Sequence, residues 1–275
     1  MHYLGICAII KDEDLFLDEW IAYYMHLGVD AFYLYDNASR IPLRQSLRKF
    51  GGLRTAATLA VYDAPGRAMQ MVTYNHCLRT NADQCRWIAF IDADEFIVPK
   101  NHESLPPMLE EFEGQAGLAL NWKAFGSNGH KLRPAGLQIE NYTRALHDAH
   151  SLHTHVKSIV DPRRAHVFFN PHMCVLRGDG DHIVREDHTP ITEGRSQSAS
   201  WEKGQINHYL YRSKQDFHAK SQKARADIFT VRNVPKRIVI PEGDVMDASA
   251  ARFAPGVRKI LEAVPDAPGI EQTLR

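Results

Sequence analysis

Neither sign of charge prevails in this chain: 33 Lys and Arg stand against 33 Asp and Glu in 275 residues. No net field therefore draws it to nucleic acid, which is not expected as a partner, and only local basic clusters could hold it at an anionic membrane. Cysteine is scarce, with Cys7, Cys77, Cys85 and Cys174 the full set. Their spacing matches no zinc site, and each lies in or near apolar sequence, which reads as reduced core thiols in a reducing compartment. No apolar run approaches the ~20 residues needed to span a bilayer, and no basic-plus-apolar leader precedes the first strand. The expectation is a cytoplasmic protein, with peripheral association at the inner face of a membrane left open. Repeats and low-complexity segments are missing too. So is a glycine-rich, lysine-bearing phosphate loop near the N-terminus, which speaks against a P-loop enzyme.

What is present is organised around Arg86-Trp87-Ile88-Ala89-Phe90-Ile91-Asp92-Ala93-Asp94-Glu95-Phe96. The unbroken apolar run from Trp87 to Ile91 predicts a strand buried on both faces, because an exposed face would demand alternation. Three carboxylates follow at once: Asp92, Asp94 and Glu95. In an open α/β sheet, ligands sit beyond the carboxyl ends of parallel strands. Asp92 and Asp94, two apart, can point the same way there. Side by side they repel unless a cation or a proton lies between them. A divalent metal holding a phosphorylated substrate answers that; a charged turn after a core strand is the plainer reading.

Elsewhere the first hundred residues alternate strand and helix. Strands are predicted at Tyr3 to Ile10, Ala31 to Tyr35 and about Thr55 to Tyr62. Helices are predicted from Leu15 to Leu27 with Gly28 as the stop, from about Pro42 to Phe50, and from about Gly66 to Leu78. That alternation argues for a parallel, doubly wound α/β sheet. Past Pro99 the rhythm changes to a helix near Leu105 to Phe112, a strand from Leu118 to Trp122, and a glycine-bearing loop from Phe125 to His130. Residues 137 to 210 read as short strands and loops rich in His and Arg, followed by a helix from about Lys214 to Asp227. A tail with Pro235, Pro241, Pro255, Pro265 and Pro268 and a short helix near Val257 to Ala263 is expected to wrap the surface or meet a partner. His147, His150, His153 and His155 do not have zinc-motif spacing and read as an exposed strand or loop.

Several segments form an ordered set. In the first part they are Cys7-Ala8-Ile9-Ile10-Lys11-Asp12-Glu13, Leu17-Asp18-Glu19-Trp20-Ile21, Leu27-Gly28-Val29 and Tyr35-Asp36-Asn37-Ala38-Ser39. Gln70 with Tyr74-Asn75 and, above all, Phe90 to Phe96 follow. Trp122 to Gly129, Lys157-Ser158-Ile159-Val160 and His208 to Lys214 complete the set. Together they resemble family 92 and family 2-like glycosyltransferases. Asp12 departs from the pattern, standing where such proteins usually carry Asn. The resemblance implies a GT-A (Rossmann-like) fold with a mixed, mainly parallel sheet flanked by helices. It divides the chain into a catalytic unit, 1–230, and a proline-containing extension, 231–275. Within the unit, 1–100 would be the nucleotide-binding half and 101–230 the His/Arg-rich acceptor side.

It also implies an inverting enzyme that uses a nucleotide-diphosphate sugar, UDP-sugar favoured, with Mn²⁺ or Mg²⁺ as cofactor. The acceptor would be a hydroxyl of a glycan or lipid-linked saccharide. Asp92, Asp94 and Glu95 would form the catalytic cluster, with Asp94 and His208 as metal ligands and Asp92 and His172 as weaker ones. His208 could equally be a hydrogen-bonded core histidine. The nucleotide would meet Lys11, Glu13, Asp36, Asn37, Arg67, Gln70 and Asp92, with Asn75 undecided on the same helix as Gln70. Asp36 could instead cap its own turn, and Arg67 and Gln70 a helix end. Trp122, Gly126, Ser127 and Lys157 would line the sugar or acceptor, Trp122 as ordinary core being the rival view. For the general base, Glu95, His130, Glu186 and Asp187 all stand as candidates. Two other readings remain: a nucleotidyl- or phosphotransferase on a similar sheet, and a non-catalytic nucleotide- or sugar-binding module.

Overall fold

The computed structural model describes residues 1–52, 57–222 and 240–264. At its centre the apolar stretch before the acids forms β4 (Cys85–Phe90), parallel to β1 (His2–Ile10), which in turn lies parallel to β2 (Ala31–Asp36). Beyond β2 runs β3 (Thr58–Asp63), again parallel. The helices between them are α1 (Asp14–His26), α2 (Leu43–Ser46) and α3 (Gln70–Asn81). After the acids come β5 (Glu95–Pro99), α4 (Leu105–Glu110), β6 (Gly117–Ala124), α5 (Gln138–Asn141), β7 (Arg144–Ala145) and β8 (Val156–Val160). The remainder comprises β9 (Ala165–Phe168), β10 (Cys174–Leu176), β11 (Ile183–Val184), β12 (Pro190–Ile191), β13 (Gly204–His208), α6 (Lys214–Ser221), β14 (Val245–Met246) and α7 (Ala254–Ala263).

The main sheet reads β12-β11-β6-β8-β4-β1-β2-β3, with β13 joining β6 on one side and β5 on the other. Antiparallel β8 lies between β4 and β6, so those two run the same way. This is the mixed, mainly parallel sheet flanked by helices that the sequence called for. Alternate residues of the inner strands enter two separate cores. Leu4, Ile6, Trp87 and Ala89 face one, and Cys7, Ile9, Ile88 and Phe90 the other. Burial on both faces explains the lack of polar alternation. All four cysteines are buried and unpaired.

Helix α1 fixes the strand after the acids. Trp20 Nε1 and Tyr24 Oη both donate to the Glu95 carbonyl at 3.0 Å, and Tyr23 Oη donates to that of Ile97 at 2.9 Å. Strand β5 had no separate place in the sequence reading, because its apolar run continues from the acid turn. Helix α3 begins at Gln70 rather than Gly66, since Gly66 and Ala68 hold φ of 133° and 53°, outside the helical range. The predicted strand start at Thr55, the end of the helix at Asp227 and the 230/231 boundary lie outside the described residues, as do Pro235, Pro265 and Pro268.

Residues 240–264 join the main core: Ala250, Phe253, Ala254 and Val257 are buried in it, and the Phe253 ring meets Tyr23 edge-on at 5.8 Å. Loop 126–129 rests on the same segment, Ser127 and Asn128 donating their amides to the Pro241 and Glu242 carbonyls. Gly126 is required there, because a Cβ would lie 2.3 Å from the Glu242 carbonyl carbon. His153 is fully buried and His155 half-buried against Trp122, so the expected exposed histidine run instead turns two of its rings inward.

Glu19, 8% exposed on α1, accepts the amides of Gln138 at 2.8 Å and Ile139 at 3.0 Å, binding the start of α5 to α1. Burial pushes its carboxyl from 4.5 to about 7, against the pull of those amides and of Arg212. The unfolded chain therefore ionises first as pH rises. Stability should fall on the order of 3 kcal/mol between pH 4.5 and about 7 on this account and level off above. Urea titrations across that range should show the slope, and Glu19→Gln, which keeps an acceptor oxygen, should remove this part of it.

Candidate active site

Strand β4 ends at Phe90, and the chain then turns through Ile91 to Asp94 before β5 departs. Glu95 shapes the turn: its Oε2 accepts the Asp92 amide at 2.8 Å, while the side chain is wholly enclosed. Beneath lies Lys157 of β8, 1% exposed, with its ammonium 3.0 Å from Asp92 Oδ2 and 3.5 Å from Glu95 Oε2. Gln70, buried at the start of α3, donates to Asp92 Oδ1 at 2.8 Å and to Tyr74 Oη at 3.1 Å. Asp92 is thus gripped on both oxygens.

One ammonium against two carboxylates leaves one acid unpaired. Burial, and then the neighbouring Asp92 and Asp94, push the Glu95 carboxyl well up despite Lys157. Burial opposes the charge on Lys157 as well, but Asp92 and Glu95 outweigh it and keep the ammonium charged. Lys157 thus stands closest to Asp92, with Glu95 beside that pair and its carboxyl held up by burial. Wholly enclosed, Glu95 braces the turn through the Asp92 amide.

Asp94 turns the other way. Its Oδ2 receives Lys220 of α6 and lies 3.4 Å from His208 Nε2. Burial disfavours its charge, but Lys220, then His208 and Arg212, hold the carboxyl well below the ordinary range. The two aspartates therefore do not share one cation: each has its own lysine. Trp122 packs beside His208, ring centroids 4.3 Å apart, and is covered further by His155 at 4.7 Å and His172 at 5.3 Å. His172 is driven down to about 4 by burial and by Lys157, so its ring is neutral, with Nδ1 2.7 Å from the Val156 carbonyl oxygen.

A divalent cation fits Asp94 and His208, whose donor atoms already converge. Among the described residues no group of three or more His, Cys, Asp or Glu could enclose one. Mg²⁺ and Mn²⁺ are commonly held that way, by one or two side chains together with substrate phosphates and water. Among the described residues His208 Nδ1 has no hydrogen-bond partner, and packing against Trp122 sets its ring plane.

The other expected site residues divide. Asp36 accepts the amides of Ser39 and Leu43 at 2.8 and 2.9 Å, and Asn37 donates to the Ala64 and Gly66 carbonyls at 2.7 and 2.9 Å. Asp36 caps its own turn, and Asn37 ties the end of β2 to the loop after β3. Glu13 accepts from Arg212 at 2.6 Å, Arg67 is exposed ahead of α3, and Lys11 is half-buried after β1. Asn75 exchanges two hydrogen bonds with the Phe168 backbone. Asp12 holds φ of 53°, a conformation that favours Asn and Asp alike, so the departure from Asn keeps the backbone. Gly126 and Ser127 contact the chain's own 241–243 segment, and Lys157 is too deeply buried to touch a substrate.

Of the remaining base candidates, Glu186 is consumed by the amides of Glu202, Lys203 and Gly204 and by the Ser200 hydroxyl. Asp187 caps Thr189 on the surface, and His130 is half-buried against Tyr142. The sequence reading overlooked Lys220 and Arg212. Arg212, 3% exposed, ties Glu13, Gln138 and the Ala93 carbonyl together and lies over Phe16 at 3.6 Å. Its place within the His208 to Lys214 segment was the available signal.

In an open α/β sheet, ligands sit beyond the carboxyl ends of the parallel strands, and Asp92 and Asp94 follow the end of a central one. Glycosyltransferase family 92 matches residues 2–238, and the chain belongs to that family. Curated relatives include a family 92 protein of Oryza sativa subsp. japonica, 28% identical over 150 residues, or 53% of this chain and 25% of the relative. Another, from Arabidopsis thaliana, is 26% identical over 140 residues, 50% of this chain and 24% of the relative. The matched stretch thus spans about a quarter of those relatives' length. Among solved structures, S. aureus TarS in complex with UDP aligns at a TM-score of 0.33 and 14% identity, covering 52% of this chain and 40% of that one. Glucosyl-3-phosphoglycerate synthase from Mycobacterium tuberculosis, with Mn²⁺, UDP-glucose and phosphoglyceric acid, gives 0.29 and 16%, covering 52% and 48%. Neither is close enough to transfer a site.

Lys157→Met, which strips the ammonium from beneath a partly exposed Asp92 and an enclosed Glu95, should cost roughly 1–3 kcal/mol of unfolding free energy, measured by urea denaturation. A loss under about 1 kcal/mol would contradict the pairing described.

Proposed function

We propose that this chain is a metal-dependent, inverting glycosyltransferase that moves a sugar from a nucleotide-diphosphate donor, UDP-sugar favoured, to a hydroxyl of a glycan or lipid-linked saccharide. Family membership supports the reaction class and speaks against a nucleotidyl- or phosphotransferase. The observation that carries the metal requirement is the convergence of Asp94 and His208 beyond the central strand. When bound, Mn²⁺ or Mg²⁺ supplies Lewis-acid stabilisation to the departing diphosphate.

The chain's own part is positional. Lys157 and Gln70 fix the direction of Asp92, leaving its partly exposed carboxylate for a ribose hydroxyl or a metal-bound water. His208 is held by the Trp122 ring, and Glu95 keeps the turn from opening. The donor's base would sit near the ends of β1 and β2, where Lys11 and the Asp36–Asn37 turn lie. Buried, unpaired cysteines support action in a reducing, cytoplasmic compartment. No helix among the described residues is long and apolar enough to cross a membrane.

Incubation with a panel of nucleotide sugars and Mn²⁺ should release UDP or GDP by slow donor hydrolysis. Asp94→Asn should lower that release roughly a hundredfold, the scale of a lost Lewis-acid contribution. Release undiminished in the variant would refute the metal-site reading.

A further inference from the structure

Asp94 already has a cation supplied by this chain. Lys220, near the end of α6, places its ammonium on Oδ2, the oxygen that His208 also approaches. Asp94 is 6% exposed, so a bare charge there needs a partner. Arg212 cannot take over, because its guanidinium is committed to Glu13, Gln138 and the Ala93 carbonyl. Lys220 differs from the other cations of the site in its freedom. Its side chain keeps 23% of its surface in solvent, against 1% for Lys157 and 4% for Arg212. An ammonium and a divalent cation on one carboxylate oxygen would repel strongly in so enclosed a place. One must yield.

We propose that Lys220 is an exchangeable counter-ion. It neutralises Asp94 until a divalent cation arrives with a nucleoside diphosphate, then releases the carboxylate and pairs with the phosphate charge. The inference rests on Asp94 and His208 being the cation ligands. A cation arriving alone must displace the ammonium and leave it without a partner. One arriving with a diphosphate brings the replacement. Metal and nucleotide therefore bind cooperatively, and the coupling runs through Lys220.

Calorimetric titration of Mn²⁺ into the full chain, with and without UDP or GDP, tests this on wild type, Lys220→Met, Lys220→Arg and Asp94→Asn. Circular dichroism verifies the fold, and Lys220→Gln replaces Lys220→Met should the latter misfold. For Mn²⁺ alone, Lys220→Met should bind on the order of tenfold tighter than wild type, with Lys220→Arg close to wild type. The nucleotide should strengthen Mn²⁺ binding more in wild type than in Lys220→Met. Equal or weaker Mn²⁺ affinity in Lys220→Met overturns the exchange but leaves the Asp94–His208 site standing. Mn²⁺ held by none of these proteins, or undiminished in Asp94→Asn, overturns the exchange together with the site beneath it.

Discussion

A single buried ammonium underlies the acid turn. Strand β4 can end in carboxylates at the heart of the sheet only because Lys157, reaching from the antiparallel neighbour β8, lies beneath Asp92 and Glu95. Two acids packed against apolar residues without that charge would be expensive to ionise. With it, Asp92 has a cation at 3.0 Å and Glu95 the same cation at 3.5 Å. Glu95 can then give its oxygen to the Asp92 amide, and the turn acquires a fixed shape. The insertion of β8 between β4 and β6 is thus electrostatic as well as topological, since it delivers the lysine to the strand end.

From that fixed turn the two aspartates diverge. Asp92 is tied inward by residues from α3 and β8, whereas Asp94 meets β13 and α6. Two like charges two residues apart would raise one another's protonation if they shared a pocket. Separate partners remove that conflict. Strand β13 pairs both β5 and β6, which sets His208 opposite Glu95 in register and beside Trp122 in space. The site therefore draws on strands distant in sequence, through one continuous sheet.

This geometry decides what the sequence could disclose. The strand Trp87 to Ile91 and its acids were legible because burial on both faces leaves an unbroken apolar run, and α1 because its aromatic residues recur at helical spacing. Lys157 was placed against a substrate, since nothing in a linear reading tells a lysine that faces a pocket from one sealed beneath it. Asp36, Asn37 and Gly126 went the same way: turn-capping and close backbone approach use the residue types that ligand binding uses. Lys220 left no trace, being a lysine on a short polar helix whose partner lies 126 positions away. Residues 137 to 210 read as short strands and loops without positions, because two-residue pairings such as β11 with β12 are set by neighbours and not by their own pattern.

The two lysines also divide the site into a sealed part and a part open to solvent. Removing Lys157 from its place would leave the enclosed Glu95 and the partly exposed Asp92 without the cation they share, so it belongs to the folded state. Lys220 stands on a helix outside the sheet and keeps 23% of its side chain in solvent. The proposed reaction, in which a diphosphate is gripped and later let go, calls for both kinds of charge. Here they come from opposite sides of one turn, and the three residues from Asp92 to Asp94 keep them apart.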